Sequence, residues 1–161
     1  MRYDKVLFVC RDNTNLSMMA ESIFVHYYTG RQLYVASRGL VVLMPTPCNP
    51  KTEIVLNNHG IRMVSGTSKP LKEEEFTDST IAITFSDVDK ERFHGRYPYV
   101  AVQTLTEFIG ETLPVPNPYG GTLEDYEQCY REMERMIRKA AKLLAETQTD
   151  EGKLDNMFER N

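Results

Sequence analysis

Cysteine is scarce. The three at positions 10, 48 and 129 are too few and too far apart for a disulfide framework or a zinc site. Long apolar runs are missing, and none approaches the roughly 20 residues that a membrane helix needs. No charge of one sign is in large excess: 19 Lys and Arg stand against 23 Asp and Glu, a net charge of -4. That balance gives no electrostatic case for nucleic acid or an anionic membrane. Internal repeats, low-complexity tracts and internal domain boundaries are not visible. Met1-Arg-Tyr-Asp leads straight into an apolar run, which predicts no signal peptide. Together these absences predict a cytoplasmic protein with reduced thiols and no metal or other cofactor. The 161 residues are a single-domain length, long enough for a proper core.

The stretch Lys5 to Glu21, KVLFVCRDNTNLSMMAE, carries the most information. Val6 to Val9 is a short apolar run, the mark of a strand buried on both faces. Ser17 is a helix N-cap type. Ala20, Ile23, Phe24 and Tyr27 then recur at helical spacing, with Gly30 as a stop. Between strand and helix lies a tight loop, Cys10 to Leu16. A strand, a short loop and a helix N-terminus make an anion site, because unpaired N–H groups converge there and the helix dipole favours negative charge. Cys10 at its mouth has a reason to ionise.

Downstream, strands alternate with helices. Leu33 to Ser37, Ser79 to Phe85 and Tyr99 to Gln103 are strand candidates. A helix over Lys51 to Asn58 would turn Ile54 and Val55 inward, with His59-Gly60 as its stop. Lys72 to Phe76 reads as a short, solvated surface helix, and Ser86 caps another short helix. Thr122 to Asp125 has a capping pattern. The last helix carries a core stripe of Tyr126, Tyr130, Met133, Ile137, Ala140 and Leu144. Residues 147–161 are polar and aperiodic, which predicts a loose tail after a domain over 1–146. Alternation of this kind predicts an α/β fold, a parallel sheet with helices on both faces. Ligands in such sheets sit beyond the carboxyl ends of the strands, where Cys10 lies.

The opening stretch resembles the low-molecular-weight protein tyrosine phosphatases, whose loop reads C-x5-R-S and is usually followed by P-M-A-E. Cys10, Asn13, Ser17, Met19, Ala20 and Glu21 match. Leu16 stands at the arginine, Asn15 at the second loop cysteine, Asp12 at the loop glycine and Met18 at the proline. Further likenesses are Ser37-Arg-Gly-Leu to S-A-G-T, Asn49-Pro50 to D-P, His59-Gly60-Ile61 to H-G-I, and Asn117-Pro118-Tyr119 to D-P-[YWF]. The resemblance covers about residues 4–146 and implies a three-layer α-β-α fold with a central four-stranded parallel sheet. It implies an anion-binding loop of Arg11, Asp12, Asn13, Thr14, Asn15 and Ser17 beside Cys10, and Tyr119 as a cleft wall. The implied partner is a phosphate-like anion or a phosphorylated protein or peptide.

Cysteine phosphatases divide the work among three groups. A thiolate attacks phosphorus, a guanidinium and loop amides hold the equatorial oxygens, and a carboxylic acid protonates the leaving oxygen. Cys10 has the first role. Leu16 has neither donor nor charge, and Asn117 at the general-acid position cannot give up a proton. Asp12 adds negative charge where an anion should bind, which predicts a raised Cys10 pKa. Glu124 and Asp125 read as dipole partners of the last helix. Arg11 is the candidate substitute cation, with a rim position facing solvent as its plainer reading.

Three functions follow. The first is a phosphatase-like protein with a degenerate site and weak or no phosphomonoester hydrolysis. The second is an active phosphatase using Arg11 and a nearby carboxylate. The third, ranked lowest, is a thiol-redox role like that of arsenate reductases; residues 79–95 hold no cysteine, and Cys48 is the only loop partner. A flavin binder shares the layer pattern, but no flavin loop is visible.

Overall fold

The computed structural model describes residues 3–159. Strand β1, Lys5–Cys10, is buried from Val6 onward. It pairs in parallel with β2, Tyr34–Gly39, on one side and β3, Thr80–Thr84, on the other. Strand β4, Ala101–Thr104, pairs in parallel with β3 and completes a four-stranded sheet of order β2-β1-β3-β4. The chain moves outward in opposite directions from β1, so the order reverses between β1 and β3. A crevice opens at such a switch point, beyond the strands' carboxyl ends.

Alternation along β1 sorts the two cores. Val6, Phe8 and Cys10 point into the larger one, with Ile81 and Ile83 of β3. Helix α1, Leu16–Tyr27, and helix α5, Leu123–Glu159, cover that face with α2, Pro50–Asn58, and α4, Leu105–Ile109. Leu7 and Val9 point the other way, against Phe93 of α3, Asp87–Arg96. The α5 stripe Tyr126, Tyr130, Met133, Ile137, Ala140 and Leu144 is buried throughout, as its spacing requires.

Several local expectations shift. The cap of α1 is Asn15, not Ser17, and the helix ends at Tyr27, ahead of Gly30. Ser17 falls inside the first turn, where its hydroxyl meets Asn13 and Cys10. Ile54 does not turn inward; it is 42% exposed. Helix α2 buries Thr52 instead, because the Thr52 hydroxyl donates to Asn15 Oδ1 at 2.5 Å. The segment expected as a loose tail continues α5 as helix to Glu159. His59 caps α2, stacks on Tyr130 with centroids 4.1 Å apart and meets Glu127 through Nε2. Among the described residues no helix is long and apolar enough to cross a membrane.

Phe24 is fully buried between Phe8 and Tyr28. Replacing it with Ala is expected to cost about 3–5 kcal/mol, whereas Ile54→Ala should cost under about 0.5 kcal/mol. Urea denaturation of both variants measures the contrast.

Candidate active site

The loop after β1 folds back on itself. Asn13 adopts a left-handed backbone, φ 57°, a conformation that asparagine tolerates better than most residues. Its amide is oriented by its neighbours. The Lys69 N–H donates to Asn13 Oδ1 at 2.9 Å, so the Nδ2 group faces Ser17 and donates to its Oγ at 2.8 Å. The Ser17 hydroxyl also meets Cys10 Sγ at 2.8 Å, where it donates when the sulfur is a thiolate. The Asn13 N–H donates to the same sulfur at 3.3 Å, and the Ser17 backbone adds a further hydrogen bond.

Outside contacts hold the loop. Leu40 N–H donates to Cys10 O, Val41 N–H to Arg11 O and Asn49 N–H to Thr14 O, at 2.8–2.9 Å. The Thr14 N–H turns onto Asp12 Oδ1 at 3.3 Å. Asn15 makes no side-chain cap bond to α1, since its oxygen is taken by Thr52.

Three donors on one sulfur favour a thiolate, yet burial outweighs them. Desolvation pushes the Cys10 thiol well above its ordinary pKa, and Asp12 adds a smaller push in the same direction. The sequence offers two opposed influences, loop donors that favour the thiolate and Asp12 that opposes it; the direction is upward as Asp12 predicts, but burial is the larger cause. Cys48 and Cys129 are also buried and free, their thiols pushed up to about 12. Neither has the ionised character that thiol exchange needs.

Cys10 opens onto a cavity of about 380 Å³ at the switch point. Arg11, Asp12, Thr14, Asn15 and Leu16 line it from the loop. Phe85, Ser86 and Asp89 enter from β3 and α3; Val115, Asn117 and Tyr119 close the far side. Asn13 and Ser17 lie behind the loop, fully buried. Leu16 is 8% exposed and packs into the main core while walling the cavity. Arg11 is exposed at the rim, and its charge acts on Asp89.

Asn117 accepts the Tyr119 N–H through Oδ1 at 3.1 Å, which holds its oxygen on its own turn. Tyr119 is 79% exposed, with one edge on the cavity. Asp125 is occupied outside the cavity, accepting the Thr122 N–H at 2.9 Å. Sequence reasoning missed Asp89. The available signal was its place in the first turn after β3, the strand beside β1.

Residues 5–150 match the family model described as low molecular weight phosphotyrosine protein phosphatase. The chain belongs to this family. The low molecular weight protein-tyrosine-phosphatase PtpB of Staphylococcus aureus is 30% identical over 140 residues, 84% of this chain and 95% of that protein. YwlE arginine phosphatase from Geobacillus stearothermophilus superposes with a TM-score of 0.83 at 26% identity, covering 91% of this chain and 96% of that one. The low molecular weight protein tyrosine phosphatase from T. tengcongensis gives a TM-score of 0.77 at 29% identity, covering 87% and 99%. The phosphatase-family fold, a three-layer α/β with an all-parallel four-stranded sheet, is thus common to chain and relatives.

The raised Cys10 pKa is testable in this phosphatase-family loop. The rate of Cys10 alkylation by iodoacetamide is expected to keep rising with pH through neutrality. Leu16→Arg should move that rise to lower pH, since a nearby cation favours the thiolate. Mass spectrometry of the Cys10 peptide against pH gives both curves. Separately, Asn13→Ala removes two buried hydrogen bonds and a residue suited to positive φ. It is expected to cost about 1–3 kcal/mol, measured by chemical denaturation.

Proposed function

We propose that this phosphatase-family member keeps an anion-binding loop but turns over phosphomonoesters slowly or not at all. Its ligand is a phosphate-like anion or a phosphorylated protein or peptide, met in the cytoplasm. Cys10 is the nucleophile position, and the amides of residues 11–17 are the anion cradle. The observation that carries this reading is the cavity lining: a leucine side chain walls the thiol where a guanidinium is expected, and the Asn117 amide is folded onto Tyr119.

Magnitudes support slow turnover. A charge-assisted hydrogen bond is worth about 1.5–3 kcal/mol, so two lost at Leu16 remove roughly 3–6 kcal/mol of anion and transition-state stabilisation. Asn117 supplies no proton from the family's acid position, which costs up to roughly 10²–10⁴ in rate where no other carboxyl takes over. The two effects act within one site and do not simply multiply. The thiol's raised pKa lowers the fraction ready to attack.

Assay of p-nitrophenyl phosphate, whose leaving group needs little acid help, tests the reading. Leu16→Arg with Asn117→Asp is expected to raise kcat/KM by roughly 10² or more. Fast turnover by the unaltered protein, abolished by Cys10→Ser, would reject a degenerate site.

A further inference from the structure

We propose that Asp89 is the proton donor to the leaving group in the residual phosphomonoester cleavage of this cleft. The inference rests on the reading above that Cys10 is the nucleophile position. The topology brings the two groups together: β1 and β3 are parallel neighbours, with Phe8 opposite Ile83. The loops that leave their carboxyl ends therefore meet at the switch point, one carrying Cys10 and the other Ser86 and Asp89. Both ends line the same cavity.

Two carboxyls line the cavity, Asp12 and Asp89, and Asp89 is the more enclosed. Asn117 has no acidic proton, and its oxygen is held by the Tyr119 N–H. Asp125 is turned onto Thr122 outside the cavity. Asp12 is exposed at the rim and accepts the Thr14 N–H. Asp89 is half-buried and sits in the first turn of α3, its own N–H donating to Ser86 Oγ at 3.1 Å. Arg11 and Asp12 face it from the loop, and Arg92 and Ser86 from its own element. Burial is the largest influence on it and raises its pKa, with a smaller push from Asp12, against the two arginines and a side-chain hydrogen bond with Ser86. A carboxyl so placed holds a proton to higher pH than an ordinary aspartate, which suits a general acid.

The proton balance closes. The Cys10 thiol first passes its proton to a non-bridging oxygen of the bound ester dianion. Sγ then attacks phosphorus, the S–P bond forms and the P–O ester bond breaks. The departing oxygen keeps the electron pair and takes the Asp89 proton. Water next attacks the phosphocysteine while giving a proton to the Asp89 carboxylate. The S–P bond breaks, inorganic phosphate leaves, and it returns the first proton to the sulfur.

Two esters and one conservative pair of variants test this, with Cys10→Ser as the blank. Phenyl phosphate has a poor leaving group, and p-nitrophenyl phosphate a good one. Asp89→Asn, made both in the unaltered chain and in Leu16→Arg, is expected to lower kcat on phenyl phosphate by about 10²-fold or more and far less on p-nitrophenyl phosphate. With Asp89 present, kcat on phenyl phosphate should fall as pH rises through the Asp89 pKa, because only the protonated acid donates. That alkaline limb should vanish in Asp89→Asn and return in Asp89→Glu. Asp89→Asn should leave the protein folded, with thermal unfolding lowered by no more than a lost first-turn charge costs, and Cys10 still alkylated. Equal loss on both esters, no loss on phenyl phosphate, or an unchanged alkaline limb would each overturn the assignment. So would the absence of any Cys10-dependent turnover in both backgrounds. If Leu16→Arg fails to raise the rate while the ester-selective Asp89 effect persists, the account of Leu16 falls and Asp89 stands.

Discussion

One hydrogen bond, from the Lys69 backbone N–H to the Asn13 side-chain oxygen Oδ1, orders the groups around the sulfur. An asparagine amide has one accepting end and one donating end. With the accepting end claimed by Lys69, the donating end faces Ser17, whose hydroxyl in turn meets Cys10 Sγ. Lys69 is itself anchored to the sheet, since the Gly39 N–H donates to Lys69 O. The end of β2 thus sets the hydrogen-bond polarity at the end of β1. A loop held this way keeps its shape without a ligand, because its buried polar groups already have partners.

That ordering separates shape from chemistry. Leu16 is comfortable where it stands: it packs into the main core and loses nothing by lacking a charge. Hydrophobic burial supports the loop that a guanidinium would make reactive. The same apolar contact withholds the positive charge that would offset desolvation of the sulfur. Fold and activity are independent properties, and a family fold can persist with its reacting groups altered.

The sheet, its parallel sense and the position of Cys10 were legible because they depend on patterns within short stretches. Val6 to Val9 could only be a doubly buried strand, and the α5 stripe spans five helical turns. What sequence could not supply depends on residues far apart. Thr52 displaced Ile54 from the buried face because its hydroxyl satisfies Asn15, 37 positions away. Lys69 and Asn13 are 56 positions apart. Asp89 carries no signal of its own beyond its place at a helix start, and only strand order puts it on the same cavity as the sulfur loop. The upward direction of the thiol's pKa was legible from Asp12, but its larger cause was not, for a related reason. Donors are visible in a motif, but the depth of burial that opposes them is not.

The three enclosed sulfurs carry a further consequence. Peroxide and other cellular oxidants attack the thiolate, and susceptibility follows ionised character and exposure. Cys10, Cys48 and Cys129 are all buried, and each is held toward its protonated form. Sulfenic acid should form slowly on every one of them.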